Sequence, residues 1–418
     1  MRLAAAFTAA GGRTFASLRH HRDYRLYFAG NAVSFTGTWM QQIAAYWLVF
    51  QLTDSPVAVG ALALVQTLPV TVLALVAGTI VDRVDLRRMV VAAEAVLAAV
   101  AATLAVLALT GAIEAWHLYA LGLVQGVALA LDSPARHTLV FQIVGRADLT
   151  NAVALSSGLG TTARILGPAL GGLVIATAGA GVAFALNAGS YAVVIVAILA
   201  MRVAPRSATQ RPSVLVGIGE ALAFIWSSRR VAVAFLAVLL VSTFSFNFDV
   251  LLALLAGRTL DSGAGTFGLI ASVFGAGALC GALILATVGR ARLVLVLVGA
   301  AGFGGFQLVL ARQDTVPAVC VLLFVIGVFY VLWGSSALAA LQLAAPEHLR
   351  GRAASLYFFA FMGGAPLGGL LAGGLTAQGG TELAFTVAGT IAVLVAAVGA
   401  GVLIAGRTAR GARPTLTG

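Results

Sequence analysis

The 418-residue chain is 61% hydrophobic and only 9% charged, with a mean hydropathy of +1.04. Soluble domains carry about 25% charged residues; a water-facing surface cannot be assembled from this composition, and lipid must solvate much of the exterior. The formal charge of +11 is no nucleic-acid signature, because the 25 basic residues are all arginine and most occupy short gaps between apolar runs, the distribution expected of membrane topology.

Residues 1–25 carry Arg2, Arg13, Arg19, Arg22 and Arg25 around a short apolar stretch, Leu3 to Ala10. That stretch is too brief for a secretory signal and arginines follow at once, so the segment is read as a retained cytoplasmic N-tail with His20 and His21 at its surface. A helical span needs about 20 apolar residues. Such runs fall at 26–50, 57–81, 89–110, 116–134, 150–177 and 181–201, then at 231–256, 266–289, 293–311, 316–341, 352–377 and 382–405. The expected fold is an all-α membrane protein with twelve transmembrane helices. Residues 202–230, the longest polar interval, hold Pro205 and Pro212 and form a cytoplasmic central loop between two six-helix bundles, 26–201 and 231–405. Residues 406–418 form a cytoplasmic C-tail.

Arginine placement tests this register independently, because Lys and Arg gather on the cytoplasmic side. With the N-terminus inside, 22 arginines fall in alternate loops and tails, among them Arg136 and Arg146 between the fourth and fifth spans. Arg258 and Arg312 lie outside and Arg164 falls within a span. The split predicts an even number of spans and both termini inside. Gly167-Pro168-Ala169-Leu170-Gly171-Gly172 in the fifth span has a partner in Ala365-Pro366-Leu367-Gly368-Gly369 in the eleventh, which suggests an internal repeat. Two pseudo-symmetric six-helix halves around a cavity is a transporter plan.

An ionisable side chain near the bilayer centre costs about 2.5–3.5 kcal/mol on insertion scales and needs a reason. Arg164 is expected near mid-depth in the fifth span, either to bind a polar or anionic substrate group or to pair with a carboxylate. Asp249, in the seventh span, is a candidate proton carrier or a solvated residue of the outer cavity. Glu94 is the second proton-coupling candidate, placed closer to the cytoplasmic face where it snorkels to water. Asn31, Gln41, Gln42, Tyr46, Gln66, Gln125 and Asn247 either line a substrate cavity or bond helix to helix. Tyr330 and Trp333, with Trp39, Trp47, Phe246 and Phe248, offer aromatic surface to an apolar substrate or anchor the interface. Cys280 and Cys320 each lie in an apolar run and read as small packing residues; no metal site, disulfide framework or cofactor is expected.

The turn Gly78-Thr79-Ile80-Val81-Asp82-Arg83-Val84-Asp85-Leu86-Arg87-Arg88 resembles the signature between helices two and three of the major facilitator superfamily, with Asp85 in place of its usual glycine. Gly37-Thr38-Trp39-Met40-Gln41-Gln42-Ile43-Ala44, Asp132-Ser133-Pro134-Ala135-Arg136 and the run from Ala163 to Gly171 are similar to the bacterial exporter branch that contains the enterobactin exporter and macrolide efflux proteins. The resemblance covers the whole chain. It implies a gate latch formed by Gly78, Asp82, Arg83, Arg87 and Arg88, with Asp132 a partner for Arg83 or Arg87. It also implies an antiporter-type helix-five hinge at Gly167, Pro168, Gly171 and Gly172.

The function expected is secondary active export of amphiphilic small molecules by proton antiport and alternating access, in a bacterial cytoplasmic membrane and as a monomer. The chain is read as no enzyme: it lacks a nucleotide-binding glycine-lysine loop, clustered nucleophiles and a sizeable extramembrane domain. An importer or a lipid flippase on the same scaffold remains open, as does a polytopic membrane enzyme or sensor. Lipid, protons and a small-molecule substrate are the expected partners.

Overall fold

In lipid no water satisfies backbone N–H and C=O groups, so an apolar chain closes its own hydrogen bonds in helices. The computed structural model of the chain describes residues 16–81, 84–202, 225–226, 228–288, 293–346 and 350–411, and no strand occurs among them. In order they form α1 (Ala16–His20), α2 (Arg22–Thr53), α3 (Pro56–Val81), α4 (Leu86–Leu109), α5 (Ala115–Ala178), α6 (Ala180–Leu199), α7 (Arg229–Ser245) and α8 (Phe248–Leu254). A π-helical turn (Leu255–Thr259), α9 (Ala264–Val288), α10 (Leu293–Leu310), α11 (Val316–Ala344), α12 (Arg350–Gly363) and α13 (Ala365–Gly411) follow.

Among the described residues, nine helical stretches are long and apolar enough to cross a membrane. Two of them each hold two spans. At 1.5 Å per residue the 64 residues of α5 would reach about 96 Å, three times a hydrocarbon core of about 30 Å. The helix breaks at Gly145 (φ 67°, ψ −171°), a left-handed conformation that glycine adopts without steric penalty. The same break occurs in α13 at Gly379 and Gly380. With the more polar α2 added, these stretches supply the twelve spans. One boundary differs from expectation. The fourth span does not stop at Pro134 but stays helical to Val144, so Arg136 lies on a helix and not in a loop.

The chain divides into two units, Met1–Thr53 with Val65–Gln210, and Asp54–Leu64 with Arg211–Gly418. In the first, α2 packs against the second half of α5 and against α6 through missing side chains. A Cβ on Gly171 would sit 3.1 Å from Met40 Cα, one on Gly30 3.1 Å from Ala197 Cβ, and one on Gly167 2.9 Å from Thr36 O and against Trp39 Cβ. Small residues permit such approach between membrane helices. The backbone keeps helical φ/ψ through Pro168, so the expected hinge residues Gly167, Pro168, Gly171 and Gly172 are all buried in a helical segment. Gly167→Ala is therefore expected to destabilise the protein by about 1–3 kcal/mol through overpacking, read as a lowered melting temperature in detergent. Gly160→Ala, with nothing within 4 Å, serves as the neutral control.

Candidate functional site

The first unit buries a charge cluster that no loop residue joins. On α5, Asp132 and Arg136 are one turn apart and 4% and 6% exposed; Glu94 of α4 is 0% and Asn31 of α2 is 1% exposed. Each nitrogen of the guanidinium has its own partner. Arg136 Nε donates to Asp132 Oδ2 at 2.5 Å, Nη1 donates to Asn31 Oδ1, and Nη2 is ion-paired with Glu94 Oε1. The ring of Phe35, on α2 and half-buried, lies 5.5 Å from Arg136 Cζ. Glu94 Oε2 and Asp132 Oδ1 accept no hydrogen bond among the described residues. The cluster thus joins three helices, with two carboxylates facing one guanidinium and oxygen lone pairs to spare.

This arrangement corrects two expectations. Glu94 does not snorkel: it lies eight residues beyond Leu86, about 12 Å along α4, and is wholly buried, ion-paired with Arg136 of α5. Asp132 pairs with Arg136, which lies on α5 and not in the loop expected between the fourth and fifth spans. Arg87 instead caps α6, donating from Nε to Ile198 O at 3.1 Å and from Nη2 to Leu199 O at 2.5 Å, where a cation complements the helix dipole. Asp85, the departure from the family turn, is the N-cap of α4 and accepts from Arg88 N at 2.9 Å, a role suited to Asp. Arg88 is exposed and Gly78 lies in the last turn of α3; Asp82 and Arg83 lie outside the described residues.

The amides expected to line a cavity are spent largely on one another. Gln41 Nε2 donates to Gln125 Oε1 at 3.0 Å, and Asn187 Nδ2 donates to Gln41 Oε1 at 2.7 Å. Ser190 Oγ donates to Asn187 Oδ1 at 2.8 Å. Gln42 Nε2, half-buried, donates to Gln66 Oε1 at 2.8 Å. Asn31 Nδ2 donates to Tyr27 O at 2.7 Å, and Tyr46 is buried. These side chains tie α2 to α3, α5 and α6. Asn187 and Ser190, which sequence reasoning passed over, complete the set. Arg164 is half-buried, with its guanidinium 4.9 Å above the Trp39 ring, a cation–π contact between α5 and α2.

In the second unit Phe246 and Asn247 interrupt the seventh span between α7 and α8. Asn247 is buried and donates to Thr243 O at 2.9 Å; Asp249, half-buried, falls in the first turn of α8. Phe246 stacks on Tyr330 with ring centroids 4.6 Å apart and planes 9° from parallel. Both rings are half-buried, whereas Trp333, stacked on Phe303 and Phe361, is wholly buried and exposes no surface to a substrate.

Outside the spans, α1 docks on the segment after Gly145. Ser17 N donates to Asn151 Oδ1 at 3.0 Å, and the rings of His20 and His21 meet Asp148 Oδ2 at 3.1 and 2.9 Å. These hydrogen bonds hold the Asp148 carboxyl below the usual carboxylate range. His20 and His21 are thus bound at the surface, not idle there.

Residues 12–411 match the family described as transmembrane secretion effector. The chain belongs to this family of the major facilitator superfamily. Within it, the multidrug efflux pump Tap of Mycolicibacterium fortuitum is 29% identical over 372 residues, spanning 85% of this chain and 88% of that protein. Macrolide efflux protein A of Streptococcus pyogenes is 24% identical over 161 residues, 38% of this chain and 40% of its own. The crystal structure of the nucleoside transporter NupG superposes with a TM-score of 0.72 at 15% identity, covering 91% of this chain and 99% of that one, a likeness of fold. The major facilitator chain is a multi-pass membrane transporter, not an enzyme.

Proposed function

We propose that this transporter is a secondary active exporter of amphiphilic small molecules that exchanges its substrate for protons by alternating access. The observation that carries the reading is the Arg136 cluster. Two carboxylates and one guanidinium leave the group one negative charge in excess, and a single proton on Glu94 or Asp132 brings it to neutrality, the state a low-dielectric interior favours. Proton binding would then change how tightly Arg136 holds α4 to α2, an electrostatic event that a two-state bundle can convert into movement. Asp249 is the second proton-coupling candidate.

The relatives named for multidrug and macrolide efflux support a drug-like compound, siderophore or secondary metabolite as substrate. In the first unit, taken by itself, Arg164 over Trp39 and the half-buried Gln42 are the proposed substrate contacts, and in the second unit, taken by itself, the half-buried Phe246–Tyr330 stack. The Asp82 turn is proposed as the gate latch, and Arg87 fixes the end of α6. The arginine distribution supports a topology with both termini inside, and the bacterial efflux relatives support a bacterial cytoplasmic membrane location. The chain works as a monomer surrounded by lipid.

Reconstitution tests direction and coupling together. Proteoliposomes holding the protein in a known orientation are given an imposed pH gradient and ethidium as an amphiphilic probe. Ethidium is expected to move against the proton flow, towards the side that corresponds to the outside of the cell. Movement with the protons would make the chain an importer, transfer of a labelled lipid in place of ethidium would make it a flippase, and indifference to the gradient would remove proton coupling.

A further inference from the structure

We propose that Asn31, an uncharged hydrogen-bond partner of Arg136, is a coupling residue through which the protonation state of the cluster is transmitted to α2. The inference rests on the proton-exchange reading above. Asn31 was a candidate for substrate contact, but at 1% exposure it lies off any accessible surface. Its two amide atoms face opposite tasks: Oδ1 accepts from Arg136 Nη1, while Nδ2 donates to Tyr27 O, one turn earlier on the same helix, at 2.7 Å. A pull on the side chain is therefore a pull on the α2 backbone.

A guanidinium offers five N–H donors in a rigid planar fork and cannot be deprotonated in a protein. Its distribution among acceptors follows their charge, because ionised acceptors bind it about twice as strongly as neutral ones. With Glu94 and Asp132 both ionised, Arg136 is held from α4 and from its own helix. A proton on either removes one of these pulls, and Arg136 settles on the acceptors that remain, Asn31 among them. The other ionisable groups facing the cluster are Tyr27 on α2, Tyr191 on α6 and His137 on α5, each within electrostatic reach of Arg136. Further along α2, Thr38 Oγ1 meets Tyr191 Oη at 3.1 Å, and Gln41 and Gln42 bond Gln125, Asn187 and Gln66. Motion of α2 relayed from Asn31 thus reaches α3, α5 and α6.

The test uses Asn31→Asp and Asn31→Leu in proteoliposomes, with ethidium as the transported probe and a trapped pH dye reporting protons. Asn31→Asp keeps the shape but adds a third carboxylate around Arg136, and is expected to displace the pH–rate profile by about one unit towards alkaline pH. Asn31→Leu is expected to bind ethidium as the natural chain does while ethidium-driven proton release falls about tenfold or more, the size of a typical coupling between sites. Should the leucine variant fail to fold, the aspartate variant still decides the matter. Natural pH profiles and natural proton release in both would overturn the proposal. Glu94→Gln separates the two levels: if it leaves proton exchange intact, the Arg136 cluster is not the coupling site and the role of Asn31 falls with it, whereas if it abolishes exchange and both Asn31 variants behave naturally, only the role of Asn31 is lost.

Discussion

Glu94→Gln is expected to reduce pH-driven ethidium transport in proteoliposomes to the level of empty vesicles while ethidium binding survives. The substitution keeps the size of a side chain that is wholly enclosed, and its amide oxygen can still accept from Arg136 Nη2, so the fold is preserved. What it removes is the second negative charge. With one carboxylate left against one guanidinium, the cluster is already neutral without a proton, and protonation would leave it with an excess positive charge that a low-dielectric site opposes. Asp132→Asn tests the other carboxylate by the same logic. Asp249→Asn is the discriminating comparison, since Asp249 lies in the second unit, half-buried at the start of α8. If Asp249→Asn stops proton exchange and Glu94→Gln does not, the coupling site lies there and the Arg136 cluster is structural.

The membrane architecture was legible because spans are written in runs of about 20 apolar residues, a signal that needs no knowledge of packing. The cluster was half legible. Asp132 and Arg136 stand four apart, the spacing at which opposite charges meet on a helix, but Pro134 between them reads as a helix stop. In a membrane helix that reading fails, since neighbouring groups and side chains can satisfy the carbonyl that proline leaves unbonded. Arg136 is then expected in a loop, and Glu94, near the cytoplasmic end of its span, is expected to snorkel. That Glu94 and Asn31 converge on Arg136 depends on how α4, α2 and α5 pack, which no local spacing encodes. The amides of α2 failed for a related reason. Gln41, Gln125 and Asn187 are polar at lipid depth whether they face a cavity or one another, and only the packing of Gly37 against Asn187 and Ser190 brings the second arrangement about.

Arg136→Leu is expected to cost about 3–5 kcal/mol, because removing one partner from a buried ionic group leaves uncompensated charge behind. Here it leaves two carboxylates, both under 5% exposed, facing each other between α4 and α5 with no cation. Melting temperature in detergent and yield of folded protein should both fall. Arg136→Lys is expected to recover only part of the loss, since an ammonium is a point charge and cannot present the planar fork whose three nitrogens serve Asp132, Asn31 and Glu94 separately. The triple variant Arg136→Leu, Glu94→Gln, Asp132→Asn is the decisive member of the series. With every charge gone it should regain most of the stability lost by the single substitution, because a buried ion pair replaced as a whole is often neutral or stabilising. It should still fail to exchange protons. A triple variant that is stable and inactive assigns the cluster to transport; one as unstable as Arg136→Leu alone would mean that the ionic contacts chiefly hold α2, α4 and α5 together.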